Sequence, residues 1–335
     1  MNLPLPSLSV VIPNFNHGHL IGDQLRSVFS QTVQCSRIII IDDVSTDNSV
    51  STIRQLISGH PNVELICKAS NSGVSETMNE GLRLVDSECV VFLAADDKTL
   101  PEFFEKSLTL LSRYPDAAFC SGVSLVQYRS GDYALPNWTT FPCMTPAFVP
   151  PTQVRKSLLR SDDWFMGNTT IYRRKPLLAL GGFDPELKSF SDGFVSRVLA
   201  LRHGACFIPE PLAIWRRVDM GYASSTSSDQ HGSEQILIKS NTQMATIFKD
   251  LFPPELLARC RARMLFRVLC VKLDNLEQRT RGIVEAVRPV RGGVLLMFAV
   301  RSASMALRLF FFMVLRPYDI PRAALSMLPL KRPAS

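Results

Sequence analysis

Short apolar runs alternate with amphipathic stretches over the first hundred residues. Each run is bounded by polar residues and has the length of a buried strand. The predicted strands comprise residues 7–12, 37–41, 63–67 and 88–93. The predicted helices between them comprise residues 20–31, 50–58 and 75–85. Alternation of strands and helices is typical of a parallel sheet with right-handed crossovers, so this part is predicted to be doubly wound α/β.

The pattern is less regular from residue 101 to about residue 208 and becomes helical after it. The segments predicted there are a helix over 101–114, a strand over 117–128, an irregular stretch over 131–152, a strand-like piece at 167–173, a helix over 191–204 and a strand near 205–208. After the serine-rich piece Ser224 to Ser228, two helices are predicted over 232–249 and 254–288.

Two of the predicted strands run directly into adjacent carboxylates. Ile41 is followed by Asp42 and Asp43, and the strand at 88–93 leads through two alanines into Asp96 and Asp97. Parallel strands end at the same edge of a sheet, where open α/β folds bind ligands, so both pairs are predicted to form one site for a nucleotide or a metal. For either pair alone, a helix N-cap or a turn is the alternative.

Charge and cysteine usage limit the partners and the compartment. Residues 251–335 carry 15 Lys and Arg against 5 Asp and Glu, whereas residues 1–250 carry 22 against 25. The eight cysteines are scattered without a Cys-x-x-Cys pair, which favours free thiols in a reducing compartment over disulfides or zinc. The first residues lack the basic and apolar regions of a signal peptide, so a cytoplasmic location is expected.

Residues 293–315 are apolar and long enough to span a bilayer. Arg301 and Arg308 interrupt them, and each arginine costs about 2.5–3.5 kcal/mol near the centre of a span. The two arginines share one helix face, which predicts a helix lying among lipid headgroups, with the membrane surface contacted through residues 290–320. A soluble packing helix and a transmembrane helix are the alternatives.

A set of motifs occurs in a characteristic order, at residues 10–16, 41–47, 71–81, 92–97, 181–184 and 191–204. In order and spacing they resemble the inverting glycosyltransferases of family 2, over about residues 7–220. The resemblance implies a GT-A fold, which is α/β with a doubly wound mixed sheet, here with a C-terminal helical extension. It implies a nucleotide-sugar donor and a divalent cation, Mg²⁺ or Mn²⁺.

The resemblance also assigns roles to individual residues. The implied donor-binding residues are Pro13, Asn14, Phe15, Asn16, Asp42, Asp43, Asn71, Gly73, Asn79, Asp96 and Arg217. Asp97, together with Asp96, would hold the cation on the diphosphate, and Asp192 would remove the proton of the acceptor hydroxyl. Asp162 and Asp163 are the alternatives for this base, and Trp164 and Asp163 are weaker candidates for acceptor contact.

Simpler structural roles remain open for several of these residues. Asn71, Gly73 and Asn79 could form a turn and a helix cap, Asp192 could be a plain N-cap, and Trp164 could pack in the core.

Two positions depart from the family pattern. Many members carry an aspartate two residues before the metal-binding aspartate, where this chain has Ala94 or Ala95. A histidine that often follows an arginine near residue 216 is absent, and Val218 stands in its place. A third metal ligand is therefore in doubt, and Arg216 and Arg217 could neutralise the diphosphate directly.

The predicted organisation has three parts: a catalytic domain over 1–228, a helical extension over 229–289 and a basic amphipathic tail over 290–335. The expected function is transfer of a sugar to a lipid-linked glycan in the synthesis of a cell-surface polysaccharide such as O-antigen, capsule or exopolysaccharide. The expected location is the inner face of the plasma membrane, with no nucleic-acid partner.

A catalytically silent scaffold that binds membrane or a partner through its basic tail is the alternative. Other enzyme classes lack their motifs: no Gly-x-Gly-x-x-Gly follows the first strand, and neither a P-loop nor a Gly-x-Ser-x-Gly elbow occurs.

Overall fold

The computed structural model describes residues 3–128, 131–135, 141–161, 164–216, 230–286 and 293–316. The chain divides into two compact units, Met1–Asp219 and Met220–Ser335. The three-part division predicted from the sequence remains a prediction.

Within the described residues, the first unit is built on a sheet of ten strands. They are β1 (Leu8–Asn14), β2 (Arg37–Asp42), β3 (Val63–Cys67), β4 (Cys89–Phe92), β5 (Lys98–Thr99), β6 (Phe119–Gln127), β7 (Tyr133–Ala134), β8 (Ala147–Val149), β9 (Ile171–Arg173) and β10 (Ala205–Arg216). The strand order is β3-β2-β1-β4-β9-β6-β10-β5, with β7 paired to β6 and β8 to β10. Strands β1 to β4 are parallel, and β9 runs antiparallel to β4 and β6. The predicted doubly wound mixed sheet is confirmed.

The helices of this unit lie between the strands. They are α1 (Ile21–Phe29), α2 (Ser49–Ile57), α3 (Val74–Leu84), α4 (Phe103–Arg113), α5 (Pro151–Arg160), α6 (Arg174–Leu180) and α7 (Ser191–His203). The described part of this unit also contains 3₁₀ helices at Gly167–Thr169 and Pro185–Phe190.

The core explains the apolar runs. All four isoleucines of β2 are buried, which requires that helices cover both faces of the strand. Helix α1 buries Ile21, Leu25 and Val28, which recur at helical spacing along one side. The long apolar run of β2 and the periodic pattern of α1 therefore form two layers of one core.

Several elements differ from the sequence prediction. The stretch predicted as irregular contains β7, β8 and the start of α5, and α6 was not predicted. Strand β10 continues to Arg216, although two prolines follow the predicted end at residue 208. Its pairing with β6 shifts register around Pro211, and this irregularity accommodates residues that cannot donate a hydrogen bond to the ladder.

The second unit comprises three helices among its described residues. They are α8 (Gln230–Ala245), α9 (Pro254–Ala286) and α10 (Gly293–Leu315). Arg308 of α10 donates to Asp274 of α9 over 2.7 Å, and Glu277 lies 3.6 Å away. The sequence interpretation placed Arg308 among lipid headgroups, whereas in this structure its guanidinium pairs with α9.

The outward face of α10 is apolar. Met305, Leu309 and Met313, spaced four residues apart, are all exposed. Across the helices of the described residues, none combines the length and the apolar character needed to cross a bilayer.

Candidate active site

The two acid pairs lie at the edge where the parallel strands end. Strand β1 lies between β2 and β4 in the sheet, so its carboxyl end has one acid pair on each side. Asn14, at the end of β1, is in register with Asp42 at the end of β2. The backbone N–H of Asp43 donates to the carbonyl of Asn14 over 2.8 Å. The predicted convergence of the two pairs at one sheet edge agrees with the structure.

Asp42 shapes the loop that follows β2. One carboxylate oxygen accepts from Asn14 Nδ2 at 2.8 Å and from Ser45 Oγ at 2.6 Å, and the other accepts from the backbone N–H of Ser45 at 2.9 Å. The side chain is 1% exposed. Asp42 therefore supports the loop from beneath, and Ser45, which the sequence interpretation missed, links Asp42 to Asn14.

Asp43 organises a second loop. Its Oδ1 forms a 2.7 Å ion pair with Lys68, and its two oxygens accept the backbone N–H groups of Ser72 and Gly73 at 3.0 and 2.8 Å. Asn71 Nδ2 donates to the carbonyl of Asp43 at 2.8 Å. The predicted residues Asn71 and Gly73 thus lie beside Asp43, and Lys68 neutralises the buried charge.

The end of β1 carries the predicted aromatic residue. Phe15 is 45% exposed, and Pro13 is half-buried. Asn16 has a φ of 57° and accepts the backbone N–H of Thr46 at 2.7 Å through its side chain. Asn16 therefore fixes the loop after β2, while Phe15 is accessible to solvent at the strand end.

Asn79 has a different position from the one predicted. Its Nδ2 donates to the Phe183 carbonyl at 2.7 Å, and its Oδ1 accepts the Phe183 N–H at 2.8 Å. Gly182 has a φ of +78°, and a Cβ there would lie 2.3 Å from Asn79 Oδ1. Asn79 therefore ties α3 to the turn before α7, and its amide is occupied by that turn instead of facing a donor.

Asp97 is a buried carboxylate held from two sides. Its Oδ1 accepts the backbone N–H of Arg216 at 3.1 Å, and its Oδ2 accepts Asn168 Nδ2 at 2.9 Å. Burial, reinforced by the neighbouring charge of Asp96, raises the pKa of Asp97 to about 8. Asp96 is half-buried. A bound cation would offset the repulsion between the two adjacent carboxylates and stabilise the ionised form of Asp97. The pair therefore favours a cation.

The 3₁₀ helix Gly167–Thr169 lies close to both Asp97 and Asp192. Asn168 donates to Asp97 and also to Ser124 Oγ at 3.1 Å. A Cβ on Gly167 would lie 2.4 Å from Asp192 Oδ2. One short turn thus contacts both carboxylates. The sequence interpretation missed Asn168, because nothing in its local pattern distinguishes it from a turn residue.

Asp192 lies in the first turn of α7 and is half-buried. Its Oδ1 accepts the backbone N–H of Gly193 at 2.6 Å. Burial, followed by the nearby charge of Asp192, raises the pKa of Tyr172, whose hydroxyl bonds Ser196 at 2.9 Å. Asp192 is therefore close to the buried Tyr172 as well as to the turn that holds Asp97.

The predicted acceptor residues are only partly described. Trp164 is fully buried, and its ring lies 4.0 Å from Phe165 and 5.7 Å from Phe207 between ring centroids. Acceptor contact through Trp164 is wrong for this structure, because an indole packed in the core presents no face to a sugar. Asp162, Asp163 and Arg217 lie outside the described residues.

The acid pair fits a divalent cation that is shared with a ligand. Among the residues that the structure describes, no group of three or more His, Cys, Asp or Glu could enclose a metal. Mg²⁺ is commonly held by one or two carboxylates together with substrate phosphates and water. Asp96 and Asp97 match the protein part of that arrangement, since they are two adjacent carboxylates.

The raised pKa of Asp97 predicts a pH-dependent stability. Its pKa is about 8 in the folded chain against 3.8 ordinarily, so between these values the native state binds more protons than the unfolded state. The free energy of unfolding should therefore fall as pH rises through this window. Asp97→Asn should flatten the slope and gain at least about 1 kcal/mol relative to wild type between pH 5 and 8.

Urea denaturation of wild type and Asp97→Asn at about pH 5 and about pH 8 measures how the free energy of unfolding changes with pH. Asp116→Asn, at an exposed aspartate, is the matched control and should keep the wild-type slope. Equal slopes for wild type and Asp97→Asn would contradict the raised pKa.

Asn168→Ala removes the amide that donates to Asp97. Loss of such an orienting partner typically costs about 10–100-fold in metal affinity or activity, and we expect Mn²⁺ affinity to fall in that range. Isothermal titration with Mn²⁺ measures the effect. Asn62→Ala is the control, since Asn62 donates to the Cys35 carbonyl at 3.4 Å, at the amino end of β3. Equal affinities in the two variants would show that Asn168 does not orient Asp97.

Comparison with known protein families gives a match over the region just described. The model for "Glycosyl transferase family 2" matches residues 9–181. The uncharacterized glycosyltransferase YibD of Escherichia coli is 36% identical over 115 residues, which are 34% of this chain and 33% of YibD. The putative teichuronic acid biosynthesis glycosyltransferase TuaG of Bacillus subtilis is 30% identical over 121 residues, or 36% of this chain and 48% of TuaG. The chain thus spans a third to a half of these two relatives.

Solved structures match over nearly the whole chain. TarS 1–349 of S. aureus, in complex with UDP-GlcNAc, superposes with a TM-score of 0.62 at 18% identity, covering 96% of this chain and 90% of that one. The mannosyltransferase PcManGT of Pyrobaculum calidifontis, in complex with GDP-Man and Mn²⁺, gives a TM-score of 0.55 at 18% identity, covering 97% and 88%. At these identities the similarity establishes the fold, which is the GT-A fold expected from the sequence.

Proposed function

Because the chain belongs to glycosyl transferase family 2, we propose that it is an inverting enzyme that transfers a sugar from a nucleotide-diphosphate sugar to an acceptor hydroxyl. The observation that carries the proposal is the single turn, Gly167–Thr169, that contacts both Asp97 and Asp192. A cation site and a base that both adjoin one turn are the two groups that a single displacement at an anomeric carbon needs.

The nucleoside would bind at the ends of β1 and β2. The exposed ring of Phe15 offers an apolar face to a base, and Asp42 and Asp43 hold the loops that follow β2 and β3 through backbone N–H groups. TarS has been solved with UDP-GlcNAc and PcManGT with GDP-Man, which supports a nucleotide-sugar donor without selecting the base or the sugar.

Asp96 and Asp97 would hold the divalent cation, Mg²⁺ or Mn²⁺. When bound, the cation neutralises charge on the departing nucleoside diphosphate. The complex of PcManGT with Mn²⁺ supports this assignment. Asn168 and the backbone N–H of Arg216 hold the Asp97 carboxylate in one orientation, so the chain's own part in this step is to fix the metal ligand.

Asp192 takes the proton of the acceptor hydroxyl. The acceptor oxygen forms a bond to the anomeric carbon as the bond from that carbon to the diphosphate oxygen breaks, and the nucleoside diphosphate leaves with the electron pair. Attack opposite the leaving group inverts the anomeric configuration. The hydrogen bond from the Gly193 N–H to Oδ1 fixes the carboxylate, and the absence of a Cβ at Gly167 leaves room beside Oδ2.

The acceptor that we propose is a lipid-linked glycan in cell-surface polysaccharide synthesis. TuaG is named for teichuronic acid biosynthesis, and GgaB of B. subtilis, 26% identical over 133 residues, is named for minor teichoic acid biosynthesis. The exposed apolar face of α10 supports a membrane surface as partner, because such a face buries favourably at the headgroup boundary. The enzyme would then work on the inner face of the plasma membrane.

Replacing two exposed methionines of α10 tests membrane contact. The double variant Met305→Glu, Met313→Glu should bind vesicles containing phosphatidylglycerol at least about tenfold more weakly than wild type, because each buried methionine contributes about 1.5–3 kcal/mol. Flotation on a density gradient measures binding. Met144→Glu is the control, since Met144 is 79% exposed in the first unit. Unchanged flotation of the double variant would contradict membrane contact through α10.

A donor screen tests the proposed activity. The full chain is incubated with Mn²⁺, a membrane lipid extract and UDP-, GDP-, dTDP- or CDP-sugars, and release of the nucleoside diphosphate is measured. We expect release from the sugars of one nucleotide, above that without lipid. Failure with every donor would favour the catalytically silent scaffold.

A further inference from the structure

We propose that Asp23 is a positioning residue: it anchors the side chain of Arg216 and thereby holds the backbone N–H of Arg216 against Asp97. Asp23 lies in the first turn of α1, far from the acid pairs in sequence, and belongs to none of the motifs of the resemblance. The inference rests on the proposed function, in which Asp97 is a metal ligand.

Asp23 joins both strands that flank Asp97. Strands β5 and β10 are antiparallel neighbours, with Ile214 in register with Lys98. Lys98 directly follows Asp97, and its Nζ lies 2.9 Å from Asp23 Oδ2. Arg216, at the end of β10, donates to the same oxygen through Nη2. One carboxylate therefore holds the two strand ends between which Asp97 lies.

The backbone N–H of Arg216 connects the residue anchored by Asp23 to Asp97. Its N–H donates to Asp97 Oδ1 at 3.1 Å, opposite the amide of Asn168. The direction of that N–H depends on the path of the last residue of β10, which its side chain fixes through Asp23. The sequence interpretation gave Arg216 a direct contact with the diphosphate, whereas in this structure Asp23 binds its guanidinium.

Of the ion pairs that Asp23 forms with Arg216 and Arg26, the pair with Arg216 is the more buried and therefore contributes more. The side chain of Arg216 is 13% exposed, whereas Arg26, which also pairs with Asp23 at 2.7 Å, is 63% exposed. An exposed pair contributes little, but removing the anion from a buried arginine leaves a charge without compensation. Burial raises the pKa of Asp23, yet hydrogen bonds from Arg26 and Arg216 outweigh it and lower that pKa below the ordinary value. Asp23 therefore stays charged at neutral pH.

The full-length variant Asp23→Asn tests the proposal through two measurements. Hydrogen–deuterium exchange of the Arg216 amide should become at least about tenfold faster, because the strand end loses its anchor. The dissociation constant for Mn²⁺ alone, measured from the electron paramagnetic resonance signal of free Mn²⁺, should rise by about 10-fold or more. Asp23→Glu, which retains the charge, should restore part of both.

Glu210→Gln is the matched control. Glu210 lies on the same strand β10 and forms a 2.7 Å ion pair with Lys106 of α4, and its side chain is 47% exposed against 35% for Asp23. This variant should leave exchange at Arg216 and Mn²⁺ affinity as in wild type. Comparable loss of Mn²⁺ affinity in Glu210→Gln would overturn the proposal, since any broken ion pair on β10 would then have the same effect.

Two results with Asp23→Asn separate this proposal from the proposed function. Wild-type exchange at the Arg216 amide, or faster exchange with unchanged Mn²⁺ affinity, overturns the positioning role while the metal site stands. A wild-type chain that binds no Mn²⁺ contradicts the metal site itself and, with it, the positioning of a metal ligand by Asp23.

Discussion

Asp97→Asn is expected to lower kcat/KM for the nucleotide-sugar by at least about a hundredfold. The substitution replaces a carboxyl group that can ionise on the cation by an amide of the same shape that cannot, so the cation loses one of its two proposed protein ligands. Charge on the departing diphosphate then lacks its main stabilisation. The amide oxygen of the introduced asparagine can still accept the N–H of Arg216, and the variant should fold. Steady-state release of nucleoside diphosphate, with Mn²⁺ varied over a wide range, measures the loss.

The control for this prediction is Asp116→Asn, which removes an exposed aspartate between α4 and β6. It should retain wild-type kinetics. A value of kcat/KM for Asp97→Asn within about threefold of wild type would rule out Asp97 as the metal ligand and would return the pair to its simpler role at the end of a buried strand.

Asp192→Asn is expected to lower kcat by about 10²–10⁴-fold, the usual contribution of a general base. The donor KM and the Mn²⁺ affinity should stay within about threefold of wild type, since Asp192 acts on the acceptor. The separation of kcat from donor KM distinguishes this variant from Asp97→Asn, which should alter Mn²⁺ dependence. Kinetics with donor and acceptor both varied give the two constants.

The same variant separates a general base from a purely structural carboxylate. Phe190 is the N-cap of α7 and Asp192 lies within its first turn, so the plain N-cap considered from the sequence is wrong for this structure. The side-chain oxygen of the introduced asparagine can still accept the Gly193 N–H that Asp192 Oδ1 accepts in the wild type. Wild-type kcat in Asp192→Asn would therefore limit Asp192 to this local hydrogen bond and would direct the search for a base to another carboxylate.

The first half of the sheet could be predicted from the sequence because its signals are local. The four isoleucines of β2 form an apolar run that fits a strand covered on both faces. In the helices around it, apolar residues recur at helical spacing. Helix α6 and strand β8 are short, and the end of β10 follows two prolines. Their conformation depends on pairing with distant strands, which local pattern does not contain.

The site residues that could be predicted are likewise those with a local signal in the sequence. The acid pairs could be recognised because each follows an apolar run, and their convergence follows from a parallel sheet. Asn168, Lys68 and Asp23 could not, because their partners lie far away along the chain. Asn79 was assigned to the donor site by motif position and Trp164 to the acceptor as a weaker candidate, yet the Phe183 turn and burial determine what they contact.

Thermal unfolding of the full chain with UDP, GDP, dTDP or CDP, in the presence and absence of Mn²⁺, tests the proposed site most directly. One nucleotide at about 100 times its Kd should stabilise the chain by about 2.7 kcal/mol. We expect this stabilisation to require Mn²⁺ and to vanish in Asp97→Asn. A shift that is independent of Mn²⁺ or survives in Asp97→Asn would contradict the metal site, and no shift with any of the four nucleotides would contradict the enzyme.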